Sequence, residues 1–202
     1  MFILKKWSQF WWVAKLNKST RQSVRIIGGQ WRGRRLSFPD VEGLRPTPDR
    51  IRETVFNWLQ PHLYEAVCLD LFSGSGALGF EAASRGAEHV DMIELDLQAY
   101  KQLQTNKTML AAEQCALFRQ PAQQFLNTST TAYDIVFLDP PFQANLWSEM
   151  ANLLTERKLL HKDSLVYLES NKYQNVEQLP ENWHLIKDKQ AGDVRYCLFA
   201  MQ

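Results

Sequence analysis

The sequence has no acidic residue before Asp40, no apolar run approaching the length of a membrane span, and only three cysteines. Each absence excludes something. A spanning helix needs about 18 or more consecutive apolar residues. The longest run near the start, Phe10-Trp11-Trp12-Val13-Ala14, is also too short for the apolar core of a secretory signal. Cys68, Cys115 and Cys197 are widely separated, so they give neither a disulfide framework nor a zinc pattern. His62, His89, His161 and His184 are scattered and support no metal or catalytic cluster, and no repeat or low-complexity tract occurs. The expected compartment is the cytoplasm.

What is present is ordinary in bulk: 202 residues, 45% hydrophobic and 22% charged, enough for one domain or one domain with a small appendage. The net charge of +1 is not evenly spread. Nine Lys or Arg precede Asp40, leaving 14 basic against 22 acidic residues in the remainder. A positive arm joined to a negative body points to a polyanionic partner for the arm, nucleic acid foremost, against the plainer reading of a solvated basic tail. Four of the nine lie in Met1 to Thr20 and five between Arg21 and Arg35.

Three segments are expected. Residues 1–23 form a basic, tryptophan-rich extension, either an RNA-binding arm or the product of a start assigned too far upstream. Residues 24–60 form a small basic unit: short strands through Arg25-Ile26-Ile27 and Arg32 to Leu36 about a turn at Gly28-Gly29. A helix follows, with Thr47 as its cap, Pro48 in its first position, and Ile51, Val55, Trp58 and Leu59 on its buried face.

From 61 to 202, strands and helices alternate, which argues for a parallel sheet covered on both faces. Strands are expected at Ala66 to Leu71, His89 to Glu94, Ala116 to Arg119, Tyr133 to Leu138 and Ser164 to Glu169. Helices are expected near Ala77 to Ser84, Leu97 to Ala111, Ala122 to Leu126 and Leu146 to Lys158. Trp183 to Lys187 and Val194 to Met201, about a turn at Ala191-Gly192-Asp193, read as a closing antiparallel hairpin.

Two stretches carry chemistry. Asp70-Leu71-Phe72-Ser73-Gly74-Ser75-Gly76 leads from a strand into a helix, and Gly74, Gly76 and Gly79 make G-x-G-x-x-G. Glu94 ends the next strand 20 residues after Gly74, where a carboxylate can accept hydrogen bonds from a ribose diol. Asp70 separates two cofactor readings. A dinucleotide would bring its pyrophosphate to this turn, against a carboxylate; S-adenosylmethionine brings an ammonium group, which Asp70 can hold directly or through water. A third contact is expected after the third strand, at the Ala122 N–H. Pro121 offers no polar group, so any side-chain contact to adenine falls to Gln120 or Gln123. The candidate cofactor set is Asp70, Phe72, Ser73, Gly74, Ser75, Gly76, Glu94, Leu95 and Ala122.

The second stretch, Asp139-Pro140-Pro141-Phe142, leaves the carboxyl end of the fourth strand. An amine on an aromatic base is planar and weakly nucleophilic. Accepting its two hydrogens at the Asp139 carboxylate and the Pro140 carbonyl favours a pyramidal nitrogen whose lone pair faces the donor methyl. The prolines fix the carbonyl's direction, and Phe142 can stack on the base. These four residues are the catalytic candidates, and no metal is expected. Asn57 and Glu169 admit either a role beside the ligands or one in capping and packing.

With these residues in view, the sequence resembles the 16S ribosomal RNA guanine-N2 methyltransferases, a branch of the class I S-adenosylmethionine enzymes. The likeness runs from Arg25 to the C-terminus. It rests on Arg25-Ile26-Ile27-Gly28-Gly29-Gln30-Trp31-Arg32-Gly33-Arg34, Leu44-Arg45-Pro46-Thr47, Asp49 to Trp58, the glycine loop and Asp139-Pro140-Pro141-Phe142. It implies a Rossmann-like α/β fold with a seven-stranded sheet, parallel except for one strand, and methylation of a guanine exocyclic amine in small-subunit rRNA, free or in an assembling particle, by a monomer. Arg32, Arg34, Arg35, Arg45 and Arg50 are the candidates for rRNA phosphates; Arg50 and Arg52 are equally well read as helix-surface residues. An adenine-N6 DNA methyltransferase competes, though 202 residues leave no room for a separate target-recognition domain. So does a non-catalytic RNA-binding assembly factor, against which the intact acidic and glycine positions argue.

Overall fold

The computed structural model describes residues 22–41, 44–141, 146–173 and 179–201. Residues 1–21 of the extension expected over 1–23, and Phe142, therefore lie outside the described residues, whereas Gln22 and Ser23 of that segment belong to the first strand.

Two short strands open the described chain, β1 (Gln22–Arg25) and β2 (Arg35–Phe38), paired antiparallel. They flank the residues expected to be strands. The chain between them closes on itself through Ile26 N–H to the Arg34 carbonyl and Gly33 N–H to the Ile26 carbonyl. It is also bound to a helix: Gln30 N–H donates to the Ser84 carbonyl, Trp31 N–H to the Ser84 hydroxyl, and that hydroxyl to the Gly28 carbonyl. Gly29 has a positive φ of 73°, and a Cβ there would lie 1.8 Å from the Ser84 carbonyl oxygen, so glycine is required on both counts.

Helix α1 (Asp49–Leu59) begins one residue later than expected, with Pro48 as the flanking residue and no side-chain cap. Thr47 is thus not a cap. Its carbonyl accepts from Arg52 Nε and its hydroxyl faces Asp139. The buried face is Ile51, Arg52, Val55, Phe56 and Leu59. Trp58 is only half-buried, stacked on Tyr196 with ring centroids 5.6 Å apart, whereas Phe56 packs on Phe137.

The rest is the alternation read from the sequence: β3 (Val67–Asp70), α2 (Ala77–Ser84), β4 (His89–Ile93), α3 (Leu97–Leu110), β5 (Cys115–Phe118), α4 (Ala122–Thr128), β6 (Tyr133–Leu138), α5 (Trp147–Glu156), β7 (Leu160–Asn171), β8 (Trp183–Ala191) and β9 (Val194–Met201). Their order in the seven-stranded sheet is β5-β4-β3-β6-β7-β9-β8. Neighbours are parallel except that β9 runs antiparallel to both β7 and β8, so β9 is the single reversed strand. Alternate side chains of each strand divide between two cores. Cys68, Ile135 and Phe137 face a cluster with α1, α2, α3, β1 and β2. Leu69, Val136 and Leu138 face α4 and α5. Strand order reverses at β3, whose neighbours are β4 and β6, and the crevice outside the carboxyl ends of β3 and β6 is where such sheets place ligands.

Strands β7 and β8 exceed their expected lengths. β8 lies at the sheet edge, with His184 to Gln190 all exposed, so past Lys187 no apolar alternation marks it. Its charged side chains suit an edge that must not recruit another strand. Among the described residues no helix is long and apolar enough to cross a membrane.

Candidate active site

The glycine loop is held from three sides. Ser73 N–H donates to the Ile93 carbonyl at the end of β4, and the Ser73 hydroxyl donates to the Asp70 carbonyl. The Ser75 hydroxyl accepts from Ala77 N–H at the start of α2. Gly74 and Gly76 both have positive φ. A Cβ on Gly76 would strike Phe80 and Leu103, and one on Gly79 would lie 2.9 Å from Asp70 Oδ2. Gly79 is therefore needed by the protein itself, because its N–H donates to that oxygen at 2.9 Å.

Asp70 is 1% exposed, and burial pushes its carboxyl up to about 7, against the opposing hydrogen bond from Gly79. Glu94 closes the loop from β4: Oε2 accepts from Gly74 N–H at 2.8 Å and Oε1 from Asp96 N–H at 2.7 Å. Burial also raises its pKa. One lone pair on each oxygen is spent on backbone, which fixes the carboxylate and leaves the others for a diol. Asp96, unnoticed in the sequence, caps α3 by accepting from Gln98 and Ala99 N–H. Leu95 is 61% exposed beside Glu94, and Phe72, Phe118 and Ala122 are half-buried apolar groups packed on the α4 side of the sheet. Pro121 precedes α4 and brings no side-chain cap, so the Ala122 N–H is unobstructed by its own helix.

Asp139 follows β6 with Pro140 buried beside it and Pro141 exposed. Thr47 donates to Asp139 Oδ2 at 3.4 Å, across 92 residues. The Asp139 carboxyl is raised well above its ordinary range, first by burial and then by the charges of Glu169 and Asp70. Among the described residues none of Asp70, Glu94, Asp139 or Glu169 is ion-paired to a cation. Four carboxyl groups gather there without a counter-ion, so a cation entering the site would draw them toward the ionised form. The site suits a cationic cofactor and an amine, and it disfavours a pyrophosphate.

Basic residues lie on the α1 side. Arg32, Arg34, Arg35, Arg45 and Arg50 are all exposed; Arg34 also donates to the Met109 carbonyl and Arg35 to the Ser23 hydroxyl. A cavity of about 410 Å³ lined by Ser23, Arg25, Arg35 and Thr47, among others, opens beside the turn that carries Thr47. Arg52 differs from the surface role considered for it. It is fully buried, bonded to Asp49, to the Thr47 and Arg25 carbonyls, and 3.6 Å from Glu81. Glu81 in turn accepts from Ile27 and Gly28 N–H at 2.7 Å each and from Arg85. The sequence missed this junction because Arg52 and Glu81 sit on helices 29 positions apart and neither stands in a chemical motif.

The strand order and the two sites at the β3 and β6 ends define the fold of a class I methyltransferase. The chain belongs to the family described as Conserved hypothetical protein 95, whose model matches residues 24–200. It is 46% identical over 185 residues to Ribosomal RNA small subunit methyltransferase D of Escherichia coli strain K12, covering 92% of this chain and 93% of that protein. It is 44% identical to the protein of the same name from Haemophilus influenzae, covering 90% and 95%. The solved structure of yhhF from Escherichia coli superposes with a TM-score of 0.84 at 46% identity, covering 90% of this chain and 99% of that one. The family resemblance drawn from the sequence is borne out.

Proposed function

We propose that the chain transfers a methyl group from S-adenosyl-L-methionine to the exocyclic N2 amine of a guanine in 16S rRNA, in the small subunit or its assembly intermediate. The observation that carries the reading is the meeting of three parts at one crevice: the glycine loop with Asp70 and Glu94, the Asp139-Pro140 turn, and Thr47, which arrives from the basic N-terminal unit. Relatives named as small-subunit rRNA methyltransferases favour RNA over DNA as the substrate.

S-adenosylmethionine supplies a methyl group on a positively charged sulfur, reactive without metal or covalent intermediate. The residues do the rest. Asp70 would hold its ammonium group and Glu94 its ribose diol, and Leu95, Phe72 and the Ala122 N–H would hold the adenine. Asp139 and the Pro140 carbonyl accept the two hydrogens of the guanine amine and turn its lone pair toward the methyl. Pro141 and Phe142, next in the sequence, complete the catalytic motif, with Phe142 the candidate to stack on the base. Arg32, Arg34, Arg35, Arg45 and Arg50 bind phosphates, which positions the RNA without reading its sequence.

The test is binding of labelled S-adenosylmethionine to the purified protein, then mapping of methylated nucleotides in rRNA from cells with and without the gene. One guanine losing an N2-methyl group in the deletion supports the reading. An unchanged rRNA map, with the cofactor bound, overturns it.

A further inference from the structure

The Asp139 turn has a neighbour that the mechanism above leaves idle. Strands β6 and β7 pair in parallel with Ile135 opposite Leu165 and Phe137 opposite Tyr167. Continuing that alternation by two residues sets Asp139 and Glu169 side by side on the same face of the sheet, the face covered by α1. Glu169 is 5% exposed. Its Oε2 accepts from the Tyr167 hydroxyl at 2.7 Å, and its backbone carbonyl accepts from Trp147 Nε1. The Thr47 hydroxyl, 3.4 Å from Asp139 Oδ2, also acts on the Glu169 carboxyl, opposing the rise that burial causes there. The other ionisable groups turned toward this pair are Tyr196, register partner of Glu169 on β9, and Asp70 on β3.

We propose that Glu169 is a positioning residue for Asp139, a second carboxyl group that shares one proton with it across the Thr47 hydroxyl, so that Glu169 holds the proton and Asp139 is left ionised toward the amine. The inference rests on the reading of the site as an amine methyltransferase. Two adjacent carboxylates in a dry pocket do not both ionise. In the reaction the nitrogen lone pair forms the new N–C bond while the S–C bond breaks, its electron pair remaining on sulfur. The nitrogen then carries a positive charge and loses one N–H proton. Asp139 takes that proton, the pair briefly holds two, and one leaves to water from Asp139, the less buried of the two. Burial and the mutual charges raise both carboxyls, in keeping with a pair poised to accept.

The decisive experiment compares wild type with Glu169→Gln, which keeps an acceptor for the Tyr167 hydroxyl. The expected result is an unchanged KM for RNA, a kcat lower by about tenfold, and loss of the higher-pH of the two carboxyl steps from the pH–rate profile with the acid limb nearly unmoved, because Gln is as neutral as the protonated Glu169 it replaces. A lowered kcat with both steps retained overturns the proposal and leaves Glu169 a packing residue. Carbon-13 titration of the side-chain carboxyls without substrate reads the coupling directly. In the wild type Asp139 and Glu169 should each titrate in two steps, and two independent single steps overturn the proposal whether or not the variant folds. Coupled steps in a protein that fails to methylate rRNA would keep the pair and overturn only the proposed substrate.

Discussion

The Thr47 hydroxyl lies 3.4 Å from Asp139 Oδ2, joining the turn before α1 to the carboxyl end of β6. A residue expected to cap a helix instead orients the carboxylate proposed to hold the amine. Replacing it with Val removes that donor while nearly preserving shape. At 3.4 Å this is a long contact, and an ordinary hydrogen bond is worth about 0.5–1.5 kcal/mol, so Thr47→Val should lower kcat roughly 2- to 10-fold with cofactor affinity unchanged, and Thr47→Ser should restore most of it. Equal kcat for Val and wild type would remove Thr47 from the site.

Arg52 and Glu81 carry the junction between the N-terminal unit and α2. Both side chains are fully buried, 3.6 Å apart, and Glu81 has two backbone N–H groups and Arg85 as further partners. Removing one partner of a buried pair typically costs 3–5 kcal/mol. Arg52→Ala should therefore lower Tm by ten degrees or more, measured by calorimetry, and Arg50→Ala on the exposed side of the same helix should not.

Asp70 makes cofactor affinity depend on pH. Its folded-state carboxyl is raised to about 7 by burial, from an ordinary 3.8. Between those values the folded protein holds a proton the unfolded chain has released, so stability without cofactor should fall as pH climbs from about 4 through about 7. The ammonium of S-adenosylmethionine favours the ionised carboxylate, so affinity should rise over pH 6 to 8. Calorimetric titration of wild type and Asp70→Asn tests both signs: the variant should bind weakly, and its affinity should respond less to pH.

The exposed arginines should report themselves through salt. Each phosphate neutralised contributes to the slope of log affinity against log salt by about 0.7 to 0.9. Replacing Arg32, Arg34 and Arg35 together should flatten that slope by about two and weaken RNA binding, leaving cofactor binding unchanged. A slope equal to the wild type's would take this surface out of the interface.

Much of this was legible in the sequence, and the physical reason is period. β6 and α2 match their expected bounds because each lies buried between strong turn signals, and the two motifs fall at the ends of β3 and β6 because parallel strands put their loops there. Edge strand β8 was cut short where exposed charged residues erase the alternation. The contacts that were not legible are those between distant positions. Thr47 on Asp139, Arg52 with Glu81, and Glu169 beside Asp139 depend on how α1 and β7 settle against the sheet, and neither periodicity nor spacing encodes that. The charge asymmetry resolves in the same way: four acidic positions, Asp70, Glu94, Asp139 and Glu169, gather at the crevice, and the four described basic residues before Asp40, Arg25, Arg32, Arg34 and Arg35, are exposed.

The central claim is that Asp139 holds and polarises the substrate amine. Single-turnover methylation of rRNA by Asp139→Ala, with cofactor affinity measured on the same sample, tests it most directly. The expected result is a rate lower by about 10² to 10³ with S-adenosylmethionine still bound; methylation at the wild-type rate would contradict the account.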